Sequence, residues 1–317
     1  MKKVINIVVV LMIALSGYAQ QNSPFSQYIF SQMTINPAYV GTKQLININA
    51  TYSTEWTGFK GAPSTQTVSA EGGLNKNMGL GISFLNDRIG AQYQQGLFAS
   101  YSYILKFNEK WRMSLGIAAG LSNFTLDGTK LIIDNPDDPS IPKTKVSSAR
   151  FDAKAGLFLY SDRFYFGFSS TELFADVLLS KDLAVPKQAH HYYITSGYVF
   201  DAGKILKIKP SLLVREDFKA PTNIDINCFF LLKERFWLGA TVRFGANIFK
   251  NPSLDNTLKH RDAMVFMTEW NITRSLRIGY AYTWSLTALK GYSGHEIEVG
   301  YTFPKKAETK MRTPRYF

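Results

Sequence analysis

Apolar and polar residues alternate along most of this chain, most clearly near its carboxyl end. In residues 294–303 the apolar residues occupy one face of a strand and the polar or small residues the other: Ile297, Val299, Tyr301 and Phe303 against Glu296, Glu298, Gly300 and Thr302. Such alternation is typical of a strand with one face in lipid and one in a polar lumen. One strand decides little, since a soluble β-sandwich can produce the same pattern.

The alternation recurs in fourteen runs, which we predict to be β-strands. They are residues 44–56, 64–74, 78–88, 92–107, 111–126, 150–160, 163–172, 190–200, 204–216, 223–232, 235–249, 261–271, 274–286 and 294–303. Bacterial single-chain barrels have an even number of antiparallel strands. The count therefore agrees with a barrel.

The connections between these runs alternate in length. Those after the even-numbered runs are short: 75–77, 108–110, 161–162, 201–203, 233–234 and 272–273. Several of the others are longer: 127–149, 173–189, 250–260 and 287–293. Short periplasmic turns and long outer loops are typical of outer-membrane barrels, whereas a β-sandwich has no such regular alternation. The sequence predicts an all-β fold, a transmembrane antiparallel β-barrel of about fourteen strands, closed by pairing 294–303 with 44–56.

The face opposite the apolar residues is rich in Gly, Ser and Thr. In residues 113–121 the odd positions are apolar and the even positions are Ser, Gly or Ala. We therefore expect Ile117 and Ile278 to face lipid and Ala118 to face the lumen. Small side chains cannot fill a barrel of this strand number, so the interior must hold water or a plug.

The amino end predicts export. Met1-Lys2-Lys3, a short apolar run and a small-residue exit predict a signal peptide over residues 1–19. Residues 20–43 are then an N-terminal periplasmic or plug segment, and residues 44–303 are the outer-membrane barrel. We expect the apolar set of this segment to pack in or under the barrel, the alternative being a disordered stub. The set is Phe25, Tyr28, Ile29, Phe30 and Met33.

Composition agrees with a β-barrel. Aromatic residues make up 14% of the chain, with 17 Tyr and 23 Phe, which fits aromatic girdles although these residues also favour strands in general. Beyond the leader no apolar stretch is long enough for a transmembrane helix. The lone Cys228 excludes an intramolecular disulfide and should face outward from its strand. The net charge of +12 suits anionic lipid or an acidic partner, and the export signal argues against nucleic acid.

No catalytic, cofactor-binding or metal-binding residue is predicted. His190 and His191 would point to opposite faces of a strand, and His295 lacks the second histidine of a metalloprotease motif. A hydrolase built on dispersed Ser and His residues is a minor alternative. The acidic loop from Asp134 to Asp138 has oxygen ligands for calcium, but it lacks EF-hand spacing, which favours a solvated loop.

The tail after the last strand, residues 304–317, is basic and ends in aromatic residues. Pro304 stops the strand, and an even strand number returns the tail to the periplasm. Such a tail suits an acidic groove on a partner, the alternative being a solvated terminus. The predicted partner-binding residues are Lys305, Lys306, Lys310, Arg312, Arg315, Tyr316 and Phe317.

Several segments, taken together, resemble the PorP/SprF family of the Bacteroidota type IX secretion and gliding systems. The first two are Pro24-Phe25-Ser26-Gln27-Tyr28 and Asn36-Pro37-Ala38-Tyr39-Val40-Gly41. The others are residues 56–67, 127–128, 191–193, 197–198, 210–212, 236–239 and 294–297. They follow the order of the family over nearly the whole mature chain.

The resemblance implies a non-enzymatic outer-membrane barrel that works with the secretion or gliding apparatus. Some members of this family are core components associated with a periplasmic ring, and others are dedicated partners of large secreted adhesins. The implied partners are outer-membrane lipid, a secreted protein or adhesin with a C-terminal sorting domain, and periplasmic components of the machinery, with no cofactor. The small-residue lumen alone leaves a passive channel for small solutes as the alternative.

Overall fold

The computed structural model describes residues 26–131, 142–175, 189–249, 261–287 and 289–303. None of the helices in these ranges is long and apolar enough to cross a membrane. The strands are β1 (Ile46–Thr54), β2 (Ser64–Gly73), β3 (Met78–Ile89), β4 (Gln92–Lys106), β5 (Arg112–Asp127), β6 (Lys145–Tyr160), β7 (Phe164–Thr171), β8 (His191–Tyr198), β9 (Phe200–Asp201), β10 (Leu206–Glu216), β11 (Thr222–Leu232), β12 (Phe236–Ala246), β13 (Arg261–Asn271), β14 (Leu276–Ser285) and β15 (Ser293–Phe303). Short 3₁₀ turns are η1 (Gln27–Ile29), η2 (Gln32–Thr34), η3 (Pro37–Tyr39) and η4 (Gly128–Lys130).

The strands form one closed antiparallel barrel. The last strand, β15, pairs with every residue of β1, from Phe303 opposite Ile46 to His295 opposite Thr54. Segments β8 and β9 keep one register against β10 and are a single barrel strand. The break between them lies at the level of Pro210, which has no N–H to donate to the ladder. The described residues thus make a fourteen-stranded barrel, and the predicted fold and closure are confirmed.

The two ends of the barrel differ in their connections. At one end, turns of three to five residues join β2 to β3, β4 to β5, β6 to β7, β9 to β10, β11 to β12 and β13 to β14. Ile46 and Phe303 lie at this same end. Since short turns of outer-membrane barrels are periplasmic, we call it the periplasmic end.

One predicted boundary was wrong. The run predicted from residue 150 begins at Lys145 in the structure, where β6 continues to pair with β5 up to Asp127. Residues 147–149 are all small and include no large apolar residue, so the alternation gave no signal there. A strand that extends beyond the lipid needs no apolar outer face, and backbone pairing alone maintains it.

The side-chain faces agree with the prediction. Ile117 and Ile278 are 63% and 41% exposed on the outer surface, whereas Ala118 is 3% exposed inside. Cys228 is exposed, as expected. Aromatic contacts occur near both ends: Trp111 with Phe164 and Tyr301 with Phe303 at the periplasmic end, and Phe59 with Tyr292 and Phe218 with Phe249 at the other. These are the levels of the two lipid–water interfaces.

Replacing Ile117 with Arg should destabilise the barrel by roughly 2–4 kcal/mol, because the charge would enter the apolar band of the bilayer. Urea unfolding in lipid vesicles measures the loss. Ile117→Leu is the matched control at the same site, and Ala118→Ser is the control on the inner face. Similar losses in all three variants would contradict the assignment of faces.

Candidate functional site

The amino-terminal segment fills part of the barrel interior. Residues 26–43, which we call the plug, precede β1 and contact the inner wall. Tyr28, Ile29, Phe30 and Met33 are all buried, as expected from their apolar character. Phe25 lies outside the described residues. The described part of the segment is therefore packed inside the barrel, while the predicted boundaries of the whole segment stay a prediction.

The plug runs from the middle of the barrel towards its periplasmic end. The N–H of Ser26 donates to Glu296 Oε2 at 3.2 Å, and Glu296 lies seven residues above the last residue of β15. The N–H of Gly41 donates to Glu71 Oε2 at 2.9 Å, only two residues from the end of β2. The chain therefore descends through the lumen before it turns into β1.

Two apolar clusters attach the plug to different parts of the wall. In the first, the ring of Phe30 packs edge-on against Phe229 at 5.7 Å and lies 6.4 Å from Trp237. In the second, Tyr39 packs edge-on against Phe158 at 5.4 Å. Removal of these rings from water stabilises the docked plug, with a further contribution from the ring geometry.

Glycines on the inner wall form the seat of the plug. A Cβ atom on Gly116 would overlap the backbone of Ala38, and one on Gly156 would overlap Oδ1 of Asn36. At Gly81 a Cβ would lie 2.7 Å from Cε of Met33. The small inner face thus allows close approach of another backbone, a recognised use of glycine within strands.

Asn36 joins the plug to the backbone of the wall. Its side-chain Nδ2 donates to the carbonyl oxygen of Leu157 at 3.0 Å. Its Oδ1 accepts from the N–H of Ala38 at 2.9 Å and caps η3, where Pro37 occupies the first position. One side chain therefore shapes the local turn and attaches it to β6.

Wall hydroxyls satisfy carbonyl groups of the plug. Ser102 Oγ donates to the carbonyl of Val40 at 2.6 Å, and Ser169 Oγ donates to that of Ile35 at 2.7 Å. These carbonyls lack the partners that a long helix or a sheet would supply, and burying them unpaired would be costly. The polar residues of the inner face thereby support an irregular backbone.

A buried ion pair lies beside the start of the plug. Arg243 Nε is 2.8 Å from Asp225 Oδ1, and Arg215 Nη2 is 3.2 Å from the same oxygen. Asp225 is 0% exposed, so both cations are needed to offset the loss of its hydration. Arg243 also donates to Ser26 Oγ at 3.4 Å. The Arg243–Asp225 pair of the wall is thus linked to Ser26 of the plug.

A second charged group surrounds the lower part of the plug. Arg277 lies 3.4 Å from Glu269 and 3.5 Å from Glu298, and it donates to Asn49. Partial burial lowers the pKa of the plug residue Lys43 to about 8, and Arg277 acts in the same direction. The alternation pattern did not reveal these networks, because Gly, Ser and Thr dominate the inner face. The signal that could have revealed them was the presence of charged residues at inward-facing strand positions.

The residues predicted to bind a partner lie outside the described residues. They are Lys305, Lys306, Lys310, Arg312, Arg315, Tyr316 and Phe317. The acidic loop from Asp134 to Asp138 is likewise outside the described ranges. Within those ranges, no group of three or more His, Cys, Asp or Glu residues is arranged to hold a metal ion.

Solved outer-membrane proteins are distant structural neighbours. The CymD monoaromatic hydrocarbon channel is 11% identical, with a TM-score of 0.49 over 88% of this chain and 94% of that chain. A Pseudomonas aeruginosa FadL homologue is 12% identical, with a TM-score of 0.48 over 86% and 94%. Omp33 of Acinetobacter baumannii is 11% identical, with a TM-score of 0.44 over 82% and 100%. Likeness at this level carries no argument about what the chain does.

The sequence comparison with a family model is more informative. Residues 17–302 match the family described as Type IX secretion system membrane protein PorP/SprF. No curated protein sequence matches the chain at a significant level. The family match and the closed barrel assign the chain to the outer membrane.

Replacing Gly116 with Ala should loosen the plug, because the new Cβ would overlap the Ala38 backbone. Overpacking of this kind costs about 1–3 kcal/mol. If cleavage follows the undocked population, chymotrypsin should cut at Tyr28, Phe30 or Tyr39 roughly five- to a hundredfold faster.

Gly96→Ala on the neighbouring strand is the matched control. Its Cβ would meet the movable ring of Phe98 at 3.1 Å rather than plug backbone. Equal cleavage of the two variants would contradict the glycine seat.

Proposed function

Since this chain belongs to the PorP/SprF family of type IX secretion system membrane proteins, we propose that it is a plugged, non-enzymatic barrel that supports protein export. Its cargo or partner is a secreted protein, such as a large adhesin with a C-terminal sorting domain, which the barrel helps to export or to anchor at the surface. Periplasmic components of the secretion or gliding apparatus contact its inner end.

The plug is the observation that carries this proposal. It fastens to the wall through two apolar clusters, the glycine seat and the buried Arg243–Asp225 pair. A passive solute channel would need an open lumen, whereas these contacts oppose free diffusion past residues 26–43. The arrangement suits a barrel whose binding surfaces, rather than a permanent pore, perform the function.

The tail supplies a second part of the proposal. Phe303, the last described residue of the chain, ends β15 at the periplasmic end. The residues that follow carry five cations and two terminal aromatics, with Glu308 as the opposing charge. We assign residues 305–317 to docking on an acidic groove of the periplasmic machinery, where charge steers association and aromatic rings bury area.

Deleting residues 26–41 tests whether the plug is needed. Planar-bilayer recordings should find no steady conductance for the full chain and open pores for the deletion. Secretion of the partner should fall in cells carrying the deletion. Equal steady conductance before and after deletion would favour the passive channel.

A milder variant covers the case in which the deletion does not insert. Asn36→Ala removes the hydrogen bonds to Leu157 and Ala38 but keeps the chain length. It should give brief openings in the same recordings. Asn86→Ala, on an exposed side-chain network of β3, is the control and should remain closed.

Removing residues 305–317 should leave the barrel inserted and heat-stable, while export or surface display of its partner falls severalfold. Heat-dependent gel migration measures folding, and surface labelling measures display. A full-length variant with Gln in place of the five tail cations distinguishes the effect of the charge of the tail from the effect of its length. Normal display in both variants, at normal barrel abundance, would exclude the docking role of the tail.

A further inference from the structure

The periplasmic end of the barrel carries a strong excess of positive charge. Nine cationic and four acidic residues lie in its short turns and at the terminal residues of the adjoining strands, and a tenth cation, Lys207, lies one residue further along β10. The cations, which we call the collar, are Lys76, Lys106, Lys110, Arg112, Arg163, Lys204, Lys207, Lys233, Arg235 and Arg274. The acidic residues are Glu109, Asp162, Asp201 and Glu234. Four carboxylates cannot neutralise ten cations, so the end is electropositive.

The strand-end cations share the inward phase of their strands. Lys106 continues the buried series of Ser102 and Ile104 on β4, and Arg112 precedes Ser114 on β5. Because side chains alternate along a strand, these cations belong to the lumen side of the wall.

The same phase holds further around the mouth. Arg163 precedes Tyr165, and Arg235 precedes Trp237, both of which are buried inside. Lys207 likewise lies two residues before the buried Lys209 on β10. These five of the ten collar cations therefore lie at the mouth of the lumen rather than on the lipid-facing belt.

The ion pairs within this region are weak. Lys106 lies 2.6 Å from Glu109, but the two side chains are 46% and 91% exposed. Lys207 bridges Asp201 at 2.9 Å and Glu234 at 3.2 Å, and Arg163 contacts Asp201. Exposed pairs contribute little and exchange readily with an incoming carboxylate. The collar thus keeps its positive field and can rearrange around a ligand.

We propose that the collar is a docking site for an acidic segment of a periplasmic protein. A ligand that approaches along the barrel axis meets the cations of the mouth before it meets the plug. Arginines suit carboxylate recognition because their planar donors can bind both oxygens. Lipid headgroups would instead require cations in the outward phase, where long side chains reach the bilayer surface.

The basic tail favours the same ligand. It follows Phe303, which lies at the same end of the barrel as the collar, and it has the same sign of charge. Like charges repel, so the tail is not the expected ligand of the collar. The proposal depends on the proposed function only for the identity of the partner as part of the secretion apparatus; the binding of acidic chains is independent of it.

Fluorescence anisotropy of labelled decaglutamate with the purified full chain, in zwitterionic detergent at low salt, tests the collar directly. The collar variant combines Lys106→Gln, Arg112→Gln, Arg163→Gln and Arg235→Gln. The matched control removes the same net charge at the opposite end with Lys60→Gln, Arg88→Gln, Lys219→Gln and Lys290→Gln. Heat-dependent gel migration establishes that each protein is folded.

The collar variant should bind decaglutamate at least fivefold more weakly than the full chain, and the control less than twofold more weakly. Equal weakening in both variants would show that the affinity for decaglutamate depends only on net charge, and it would overturn the proposal. Full retention of affinity in the collar variant, with loss of phosphatidylglycerol in native mass spectrometry, would make the collar a lipid site. Should the quadruple variant not fold, Arg163→Gln and Arg235→Gln alone should each weaken binding about twofold, and unchanged affinity in both would count against the collar.

Because the assay contains no secretion step, its outcome is separate from that of the tail and plug experiments. Loss of secretion with intact collar binding would weaken the proposed function alone. Normal secretion without decaglutamate binding at the collar would contradict only the proposed docking site.

Discussion

Close contact between the plug backbone and a glycine-lined wall is the constraint on which the rest of the structure depends. A fourteen-stranded barrel with small inner side chains leaves a space that its own wall cannot fill. At Gly116 and Gly156 any side chain would displace the plug. The absence of side chains at these positions therefore admits another segment of the chain, and the aromatic clusters around Phe30 and Tyr39 hold it there.

Burial of the plug also explains why charge is tolerated deep in the lumen. Asp225 is neutralised by Arg243 and Arg215, and the same Arg243 reaches Ser26 of the plug. Removing one partner from such a group leaves an uncompensated charge, which costs more than the pair contributes. The charged groups therefore favour one position of the plug, and burial of the apolar clusters stabilises it there.

The sequence predicted the barrel well because lipid imposes strict alternation on every strand that crosses it. Ile297 and Glu298, for example, could be assigned to opposite faces from period two alone. The strand extension at residues 145–149 was not predicted, because it lies beyond the lipid and its outer face need not be apolar. The path of the plug could not be predicted, because Asn36 and Glu71 form hydrogen bonds with residues far away in the sequence, which no local pattern encodes. The sequence predicted that Phe30 is buried, but not which wall residues it contacts.

Hydrogen exchange of the unmodified protein in lipid nanodiscs tests the central claim most directly. If the plug is docked, amides of residues 28–41 should exchange at least a hundredfold more slowly than an unstructured chain, because most are buried and several hydrogen-bonded. Peptides from the exposed turn at residues 107–111 provide the internal reference. Complete exchange of residues 28–41 within seconds, with the strands still protected, would contradict a stably plugged barrel.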